Sequence, residues 1–343
     1  MKTYFKEEFN NTVDKINGLN EKGCFCFNLV TDSHLYSFEN PISTQPLHTI
    51  ENMKEVNAEI DVDCMFHLGD IMWSTQKLRD EKYWSENFVE KFLIEARDLY
   101  ISANENCYFI PGNHDDIDAA EPHPVRWYKK MVEFQKEKLS NYVENKPYYS
   151  VDFPMHKIRA ICIMSCFMDE TGCWYGYYEE QVKWLEKVLL ETPDDYKILL
   201  FSHIDPVGPD RSTRLDNEKE FMSVLEAFTK GEKFDGEVFS VDFTKKTTAE
   251  ILAMFVGHGH YDLTITENPF LIVERACNHL HQINPDDDWS HPEGAVSPRR
   301  KVESFTEDLW DTVIYNPEKN TIDIVRFGAG EDAHYDLRKD EKE

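Results

Sequence analysis

The feature that most constrains this chain is a repeated pattern in which a short apolar run ends in a polar cluster. The apolar runs cover residues 24–31, 64–68, 106–110, 197–202 and 251–256. Short apolar runs bounded by glycine or proline are typical of buried strands. Segments with apolar residues at helical spacing lie at 4–18, 44–58, 77–100 and 216–230. Strands that alternate with helices predict βαβ units with parallel pairing, so the sequence indicates an α/β fold.

The middle and the end of the chain add further elements. Residues 148–153 and 158–164 predict a hairpin or meander, and residues 176–190 have the apolar spacing of an amphipathic helix. Short strands are predicted at 263–266, 271–275, 312–315 and 322–327. Residues 316–320 read Asn-Pro-Glu-Lys-Asn, which predicts the turn of a hairpin between the last two strands.

Five polar clusters follow the apolar runs. They are Asp32-Ser33-His34, Gly69-Asp70, Gly112-Asn113-His114-Asp115, His203 and Gly257-His258-Gly259-His260. Carboxylates, an amide and imidazoles form a mixture of oxygen and nitrogen donors that suits a pair of divalent transition metals. For any single histidine of the set, a packing role is the simpler interpretation. The ordered set as a whole predicts an active site.

The charge balance argues against a large polyanionic partner. The chain has 37 Lys and Arg residues against 65 Asp and Glu residues, a formal net charge of −28. Nucleic-acid affinity comes largely from basic side chains that neutralise phosphates, so there is no strong case for a nucleic-acid partner. The simpler interpretation of the charge is that it favours solubility.

The sequence predicts a cytoplasmic protein without a membrane segment. No apolar segment of a signal peptide follows residues 1–8, and the longest apolar stretches are far shorter than the ~20 residues of a membrane helix. Cys24 and Cys26 lie two apart in a predicted strand and so share one face, which favours core packing over a metal or redox pair. Scattered free cysteines fit a reducing compartment.

The series D-x-H, GD, GNHD, H and GHxH, in this order, resembles the calcineurin-like metallophosphoesterase family. The resemblance runs from about residue 25 to 262 and on to the hairpin near 327, and the segment with Gly176, Gln181, Trp184 and Leu185 resembles a helix pattern frequent in the family. It implies an α/β fold of one domain over residues 1–343. The expected architecture is a four-layer α/β/β/α sandwich of two mixed sheets flanked by helices.

The resemblance also implies a role for each cluster residue. The first metal would bind Asp32, His34 and His260, the second would bind Asn113, His203 and His258, and Asp70 would bridge both. Two divalent ions, Mn, Fe, Zn or Co, are the implied cofactors, and a hydroxide that bridges them would attack phosphorus in line. The implied catalytic residues are His114, which would act at the leaving-group oxygen, and Asp115, which would orient its imidazole.

The sequence narrows the range of substrates within the family but leaves several alternatives open. Asp115 follows His114, where the Ser/Thr protein phosphatase branch has Glu, so the GNHD form is closer to the phosphodiesterase and nucleotidase branches. We expect a small phosphorylated substrate, with a phosphodiester slightly favoured. The alternatives are a phosphomonoesterase or nucleotidase, and a non-catalytic metal-binding interaction module on the same fold. The sequence identifies neither substrate-binding residues nor the oligomeric state.

Two segments and four histidines have no role in this scheme. Residues 282–307, rich in proline and aspartate, predict either a lid or insertion loop or a solvated surface excursion. Residues 331–343 predict a charged tail that frays. Surface or packing roles are expected for the remaining histidines His67, His123, His279 and His281.

Overall fold

The computed structural model describes residues 1–35, 45–72, 86–115, 128–169, 172–207, 215–266, 268–280 and 292–338. The helices used below are α1 Lys6–Leu19, α2 Gln45–Asn57, α3 Glu86–Ile101, α4 Glu179–Leu190 and α5 Glu218–Lys230. Short 3₁₀ turns lie at Thr3–Phe5, Glu133–Lys138 and Phe305–Glu307. None of the helices in these ranges combines the length and the apolarity that crossing a membrane requires.

The strands, in chain order, are β1 Phe25–Val30, β2 Cys64–His67, β3 Cys107–Phe109, β4 Asn141–Tyr142, β5 Tyr149–Phe153, β6 Ile158–Cys162, β7 Cys166–Asp169, β8 Gly172–Tyr175, β9 Lys197–Phe201, β10 Lys233–Asp235, β11 Ser240–Asp242, β12 Glu250–Val256, β13 Leu263–Ile265, β14 Leu271–Glu274, β15 Leu309–Asn316, β16 Thr321–Gly328 and β17 Ala333–Asp336. Two small hairpins, β7–β8 and β10–β11, lie outside the two large sheets.

The first large sheet has the strand order β17-β16-β15-β1-β2-β3. β1, β2 and β3 run parallel, with Leu29 opposite Phe66 in the first pair. The carboxy-terminal strands β15, β16 and β17 extend the sheet in antiparallel pairing. The sheet therefore combines parallel strands joined through helices, as predicted, with a hairpin from the end of the chain.

The second large sheet has the strand order β13-β14-β12-β9-β6-β5-β4. Its four central strands, β14, β12, β9 and β6, are parallel to one another. β13 at one edge and β5 and β4 at the other are antiparallel to their neighbours. Both sheets are therefore mixed, and each has a parallel core whose carboxyl ends share one edge.

Aromatic side chains pack the two sheets together. Phe27 and Phe66 from the first sheet meet Phe201 and Phe255 from the second, and all four are fully buried. Phe66 stacks on Phe201 with ring centroids 3.8 Å apart, whereas Phe27 contacts Phe201 and Phe255 edge-on at 5.7 and 5.6 Å. The edge-to-face contacts of Phe27 are among the arrangements that aromatic pairs prefer. The contacts fix the spacing of the sheets beneath their common edge.

Helices cover the outer face of each sheet. Ile16 of α1, Met53 of α2 and Leu93 of α3 join the cluster that contains the first sheet. On the second sheet, Leu185 of α4 and Leu225 of α5 pack in a separate cluster with strand residues of β9 and β12. The architecture is therefore the predicted four-layer α/β/β/α sandwich of two mixed sheets flanked by helices.

Apart from the helix predicted at 77–100, of which residues 77–85 lie outside the described residues, the predicted elements lie within a few residues of the observed ones, but short pairings were missed. β4, the β7–β8 and β10–β11 hairpins and β17 were not predicted. The predicted fraying of 331–343 is wrong for Ala333–Asp336, which pairs with β16, and residues 339–343 lie outside the described residues. Of the predicted lid at 282–307, residues 292–307 are described; there Arg300 is 7% exposed and donates to the carbonyls of Cys277 and Asn278.

One polar contact joins the two sheets at the end opposite their common edge. In the turn between β5 and β6, His156 Nε2 lies 2.9 Å from Asp63 Oδ1, and Asp63 Oδ2 accepts the backbone N–H of Cys26 at 2.9 Å. The hydrogen bond to Asp63 raises the pKa of His156 above its ordinary value, and burial opposes this only in part.

We predict that His156→Gln removes a pH-dependent part of the stability. Because the folded pKa of His156 is raised, its contribution is fully present below the unfolded value of about 6.5 and is lost as the pH rises through the folded value. Urea unfolding at pH 5 to 8 should show a wild-type advantage over the variant that shrinks as the pH increases. The control is Met155→Gln in the same turn, where the side chain is 93% exposed; an equal pH profile for both variants would contradict the prediction.

Candidate active site

The site lies where the carboxyl ends of both parallel cores meet. Asp32, Asp70 and Asn113 follow the adjacent strands β1, β2 and β3, and His203 and His258 follow the adjacent strands β9 and β12. Backbone hydrogen bonds continue between the loops beyond the strands, from Asp32 N to Gly69 O at 3.0 Å and from Gly257 N to His203 O at 2.9 Å. The folding of five parallel strands thus brings all five predicted clusters together.

Most of the predicted ligands have an unusual backbone conformation. Five of the seven are non-glycine residues with positive φ, namely Asp32 at 53°, His34 at 44°, Asp70 at 52°, His258 at 72° and His260 at 62°. This left-handed region is uncommon for residues with a β-carbon, and such strain concentrates at functional sites. The chain therefore accepts a conformational cost to direct these side chains inward.

Two cluster glycines are required by close approach of the loops. A Cβ added at Gly112 would lie 2.1 Å from Asp70 Oδ1 and 2.2 Å from Asp70 N. A Cβ at Gly257 would lie 2.0 Å from Thr31 Oγ1 and 2.6 Å from Asp32 Oδ2. Since each contact is far inside van der Waals distance, a side chain at either position would displace a predicted ligand.

The first group of donors consists of Asp32, His34 and His260, whose ligand atoms all lie within 4.8 Å of one another. His260 Nε2 is 3.1 Å from Asp32 Oδ1 and 3.1 Å from His34 Nε2. These residues are 0, 1 and 7% exposed. Three donor atoms therefore converge on one point in a site largely shielded from solvent.

The second group consists of Asp70, His203 and His258, again with ligand atoms within 4.8 Å of one another. His203 Nε2 lies 3.3 Å from Asp70 Oδ2 and 3.0 Å from Asn113 Oδ1. The structure thus places the predicted amide donor beside the second group.

Asp70, a member of the second group, also faces the first group. Its Oδ2 is 3.8 Å from His34 Nε2 of the first group and 3.3 Å from His203 Nε2 of the second. Its Oδ1 accepts the backbone N–H of His114 at 2.7 Å. That bond orients the carboxylate so that its other oxygen faces both groups.

The buried charges shift the pKa values of their neighbours. Burial raises the pKa of the Asp32 carboxyl, but the field of His260 and His203 outweighs this and lowers it below its usual range. Burial lowers the pKa of His203, but Asp70 and Asp32 outweigh burial and raise it to about 9. The two carboxylates are therefore held ionised, as ligands of a divalent cation must be.

Hydrogen bonds from outside the groups fix the ligand atoms. Asp32 Oδ2 accepts from Thr31 Oγ1 at 2.5 Å and from the backbone N–H of His258 at 3.0 Å, which leaves Oδ1 for the first group. His203 Nδ1 lies 2.8 Å from the Leu68 carbonyl oxygen. Because a carbonyl only accepts, Nδ1 donates to Leu68, and Nε2 is the nitrogen that would give up its proton to bind a metal at the second group.

A buried ion-pair network supports the loop that holds His258 and His260. Asp262, at the end of that loop, pairs with Arg326 at 2.9 Å and with Arg275 at 3.4 Å. Both arginines also bond Asp311, at 2.7 and 2.8 Å. Two cations and two anions balance, so burial leaves no unpaired charge. Asp311 and Arg326 come from β15 and β16, so the carboxy-terminal hairpin anchors this ligand loop.

Asp115 lies differently from the sequence-based expectation, whereas the role expected of His114 stays a prediction. The His114 side chain is 31% exposed, far more than the 1% of Asp70, and its Nε2 is 3.9 Å from Asp70 Oδ2. Asp115 is fully buried, and its carboxylate accepts the backbone N–H groups of Met72 and Gly112 at 3.0 and 2.9 Å. Among the described residues, the hydrogen bonds of this carboxylate go to backbone amides rather than to the His114 imidazole.

The sequence-based scheme missed several residues around the site. Thr31 and Ser33 flank Asp32, and Glu274 Oε1 accepts the N–H of Gly259 at 2.8 Å. His67 is fully buried and hydrogen-bonded, and its polar character within the apolar run 64–68 was the available signal. The His279 ring lies 5.9 Å from the His34 ring. Of the other unassigned histidines, His123 and His281 lie outside the described residues.

Comparison with known proteins identifies the family. The family described as calcineurin-like phosphoesterase matches residues 27–262, more than half of the chain and the whole span of the seven predicted ligands. The chain belongs to the calcineurin-like phosphoesterase family. A family relative, the probable glycerophosphodiester phosphodiesterase GpdQ of Arcobacter nitrofigilis, is 30% identical over 181 residues. The match covers 52% of this chain and 54% of that protein, so the chain spans about half the length of this curated relative.

The chain is also similar to solved structures at low identity. A putative 5′-nucleotidase from Staphylococcus aureus has 11% identity and a TM-score of 0.42, covering 93% of this chain and 55% of that one. GAP50, described as the anchor in the inner membrane complex of Plasmodium, has 10% identity and a TM-score of 0.48, covering 93% and 90%. At these values, neither protein supports a conclusion about the activity of this family member.

We predict that Gly112→Ala abolishes metal binding by the two donor groups, because the new methyl group would collide with the Asp70 carboxylate. After dialysis against Mn²⁺, elemental analysis should find much less metal per folded chain than in the wild type. The matched control is Gly18→Ala in α1, where a Cβ meets nothing within 4 Å and should stabilise the helix by up to about 1 kcal/mol. Full metal content in folded Gly112→Ala would refute the prediction.

Proposed function

We propose that this protein is a phosphoesterase that uses two divalent metal ions, Mn, Fe or Zn, to hydrolyse a small phosphorylated substrate. The observation that carries the proposal is the position of Asp70, whose Oδ2 lies within 4 Å of a histidine of each donor group. A carboxylate that belongs to the second group and also faces the first matches the requirement of a two-metal site, in which the ions are about 3.5–4 Å apart.

The donor set fits divalent transition metals. Both groups combine carboxylate oxygen with imidazole nitrogen, and Asn113 adds an amide oxygen beside the second. Asp32, His34 and His260 would hold one ion, Asn113, His203 and His258 the other, and Asp70 both. Such ions, when bound, supply a water of lowered pKa as the nucleophile and neutralise charge on the phosphoryl oxygens.

His114 is the group we assign to the leaving-group oxygen. It projects from the same loop as Asn113, remains partly exposed, and is held through its backbone N–H on Asp70. A phosphate bound over the two groups would bring its ester oxygen within reach of this imidazole, which can donate a proton or stabilise the developing charge. Asp115 is a positioning residue in this proposal, because its carboxylate ties Met72 to Gly112 and so sets the loop that carries His114.

We propose a phosphodiester as the favoured substrate class, with a phosphomonoester as the alternative. The similarity to a probable glycerophosphodiester phosphodiesterase supports the diester. The acidic net charge of −28 supports a small substrate over a nucleic acid. A cytoplasmic location belongs to the same proposal. A non-catalytic metal-binding module on this fold is the competing function, and the experiment below separates the two.

We predict that His114→Ala lowers kcat by about 10²- to 10⁴-fold, the usual contribution of general acid–base catalysis, while the metal content stays near two per chain. The test is steady-state hydrolysis of an alkyl phosphodiester by Mn²⁺-loaded protein, with bis(p-nitrophenyl) phosphate and p-nitrophenyl phosphate for comparison and elemental analysis of the same samples. The kcat of His114→Ala should fall less on a substrate whose leaving group needs no proton, such as a nitrophenolate, than on an alkyl diester.

The control for His114→Ala is Asp70→Asn, which should lose metal and activity together because it removes the shared carboxylate. Wild-type protein that binds two metals but hydrolyses no member of a broad panel of phosphoesters would favour the interaction module. Metal content near zero in the wild type would refute the whole proposal.

A further inference from the structure

The buried histidine His67 contacts two of the predicted ligand loops directly without being a ligand itself. It ends β2, is fully buried, and its ring packs against Tyr100 with centroids 4.8 Å apart. Its Nδ1 accepts the backbone N–H of Gly69 at 3.2 Å, and its Nε2 lies 2.9 Å from Ser33 Oγ. Because Nδ1 accepts, the proton is on Nε2, so His67 donates to Ser33.

The contact with Gly69 leads directly to a ligand of the second group. The peptide unit between Leu68 and Gly69 gives its N–H to His67 and accepts the Nδ1–H of His203 through its carbonyl at 2.8 Å. A peptide unit is planar, so fixing its N–H also fixes the direction of its C=O. His67 therefore sets the acceptor that orients the imidazole of His203.

The contact with Ser33 leads to the first group. Ser33 lies between Asp32 and His34, both in the left-handed region, and is fully buried. Its Oγ is also 2.5 Å from the hydroxyl of Tyr100 on α3. This side chain is thus held from two sides, which supports the strained backbone that directs Asp32 and His34 toward each other.

We propose that His67, with Ser33 and Tyr100, is a positioning relay that couples the geometry of the two donor groups and so sets metal affinity. The histidine spans the loops after β1 and β2, and through one peptide unit it reaches the loop after β9. Burial lowers the pKa of His67 to about 3, so the imidazole stays neutral and keeps one donor and one acceptor. The proposal rests on the two-metal function proposed above.

The test measures metal binding directly. Mn²⁺ dissociation constants, determined by calorimetric titration of folded protein, should rise about tenfold or more in His67→Phe, since loss of a group that orients metal ligands typically costs 10- to 100-fold in affinity. Phenylalanine keeps the ring packing against Tyr100 but removes both hydrogen bonds. His67→Gln, which retains a donor near Nε2, should recover part of the affinity. The d–d absorption spectrum of Co²⁺-loaded His67→Phe should shift, because ligand orientation changes.

Two matched controls separate positioning from general destabilisation. Tyr149→Phe removes a fully buried hydroxyl that bonds the Phe109 carbonyl at 2.7 Å, and Ser150→Ala removes a buried hydroxyl bonded to Asn141 at 3.0 Å. Both should lower the melting temperature and leave the Mn²⁺ dissociation constants and the Co²⁺ spectrum unchanged. Tyr100→Phe and Ser33→Ala, the same chemical changes within the relay, should weaken metal binding.

Each outcome decides the proposal. Unchanged dissociation constants and Co²⁺ spectrum in folded His67→Phe would overturn it. If His67→Phe does not fold, Ser33→Ala carries the test against Ser150→Ala, and equal metal affinity of these two variants would overturn it. Failure of the proposed function is seen in the wild type itself, which would then bind no metal, or would bind two metals and hydrolyse no phosphoester.

Discussion

The structure depends on burying an acidic and imidazole-rich cluster at the edge where two sheets meet. Moving a carboxylate out of water is costly unless it finds compensating charge or hydrogen bonds. Asp32 and Asp70 have both, because each is surrounded by imidazoles and backbone N–H groups. The compensation requires groups from five strand ends to meet within a few ångströms. The aromatic contact between the sheets and the helices outside them serve this requirement, since they fix how the strand ends face one another.

Much of this arrangement could be predicted from sequence, because strand ends are a local signal. A buried parallel strand is a short apolar run, and the residues directly after it must lie at the carboxyl edge of the sheet. The positions of Asp32, Asp70, Asn113, His203 and the pair of histidines after β12 follow from that rule alone. Their division between two metals came from the family resemblance, and the distances around Asp70 support it without deciding it.

The parts that sequence could not predict depend on contacts between distant segments. β17 and the small hairpins are short, polar edge pairings with little periodic signal. Asp115 follows His114 in the chain, yet its carboxylate turns inward to two backbone amides, and sequence adjacency did not reveal this. From the sequence, His67 is interpreted as a packing residue. Its link to His203, through one peptide unit that bonds both imidazoles, is visible only in three dimensions. Hydrogen-bond partners of this kind are fixed by tertiary geometry.

The anchoring of the His258–His260 loop by the carboxy-terminal hairpin bears on the order of events during synthesis. All seven predicted ligands have been synthesised once residue 260 is added. The residues that hold this loop through Asp262, Arg326 and its partner Asp311, are synthesised later. β1, which leads to the first ligand, also waits for its neighbour β15. A nascent chain therefore carries all the predicted metal donors well before it can arrange them. Domains generally fold as units, so metal captured before the last hairpin emerges would meet flexible donors rather than the finished site.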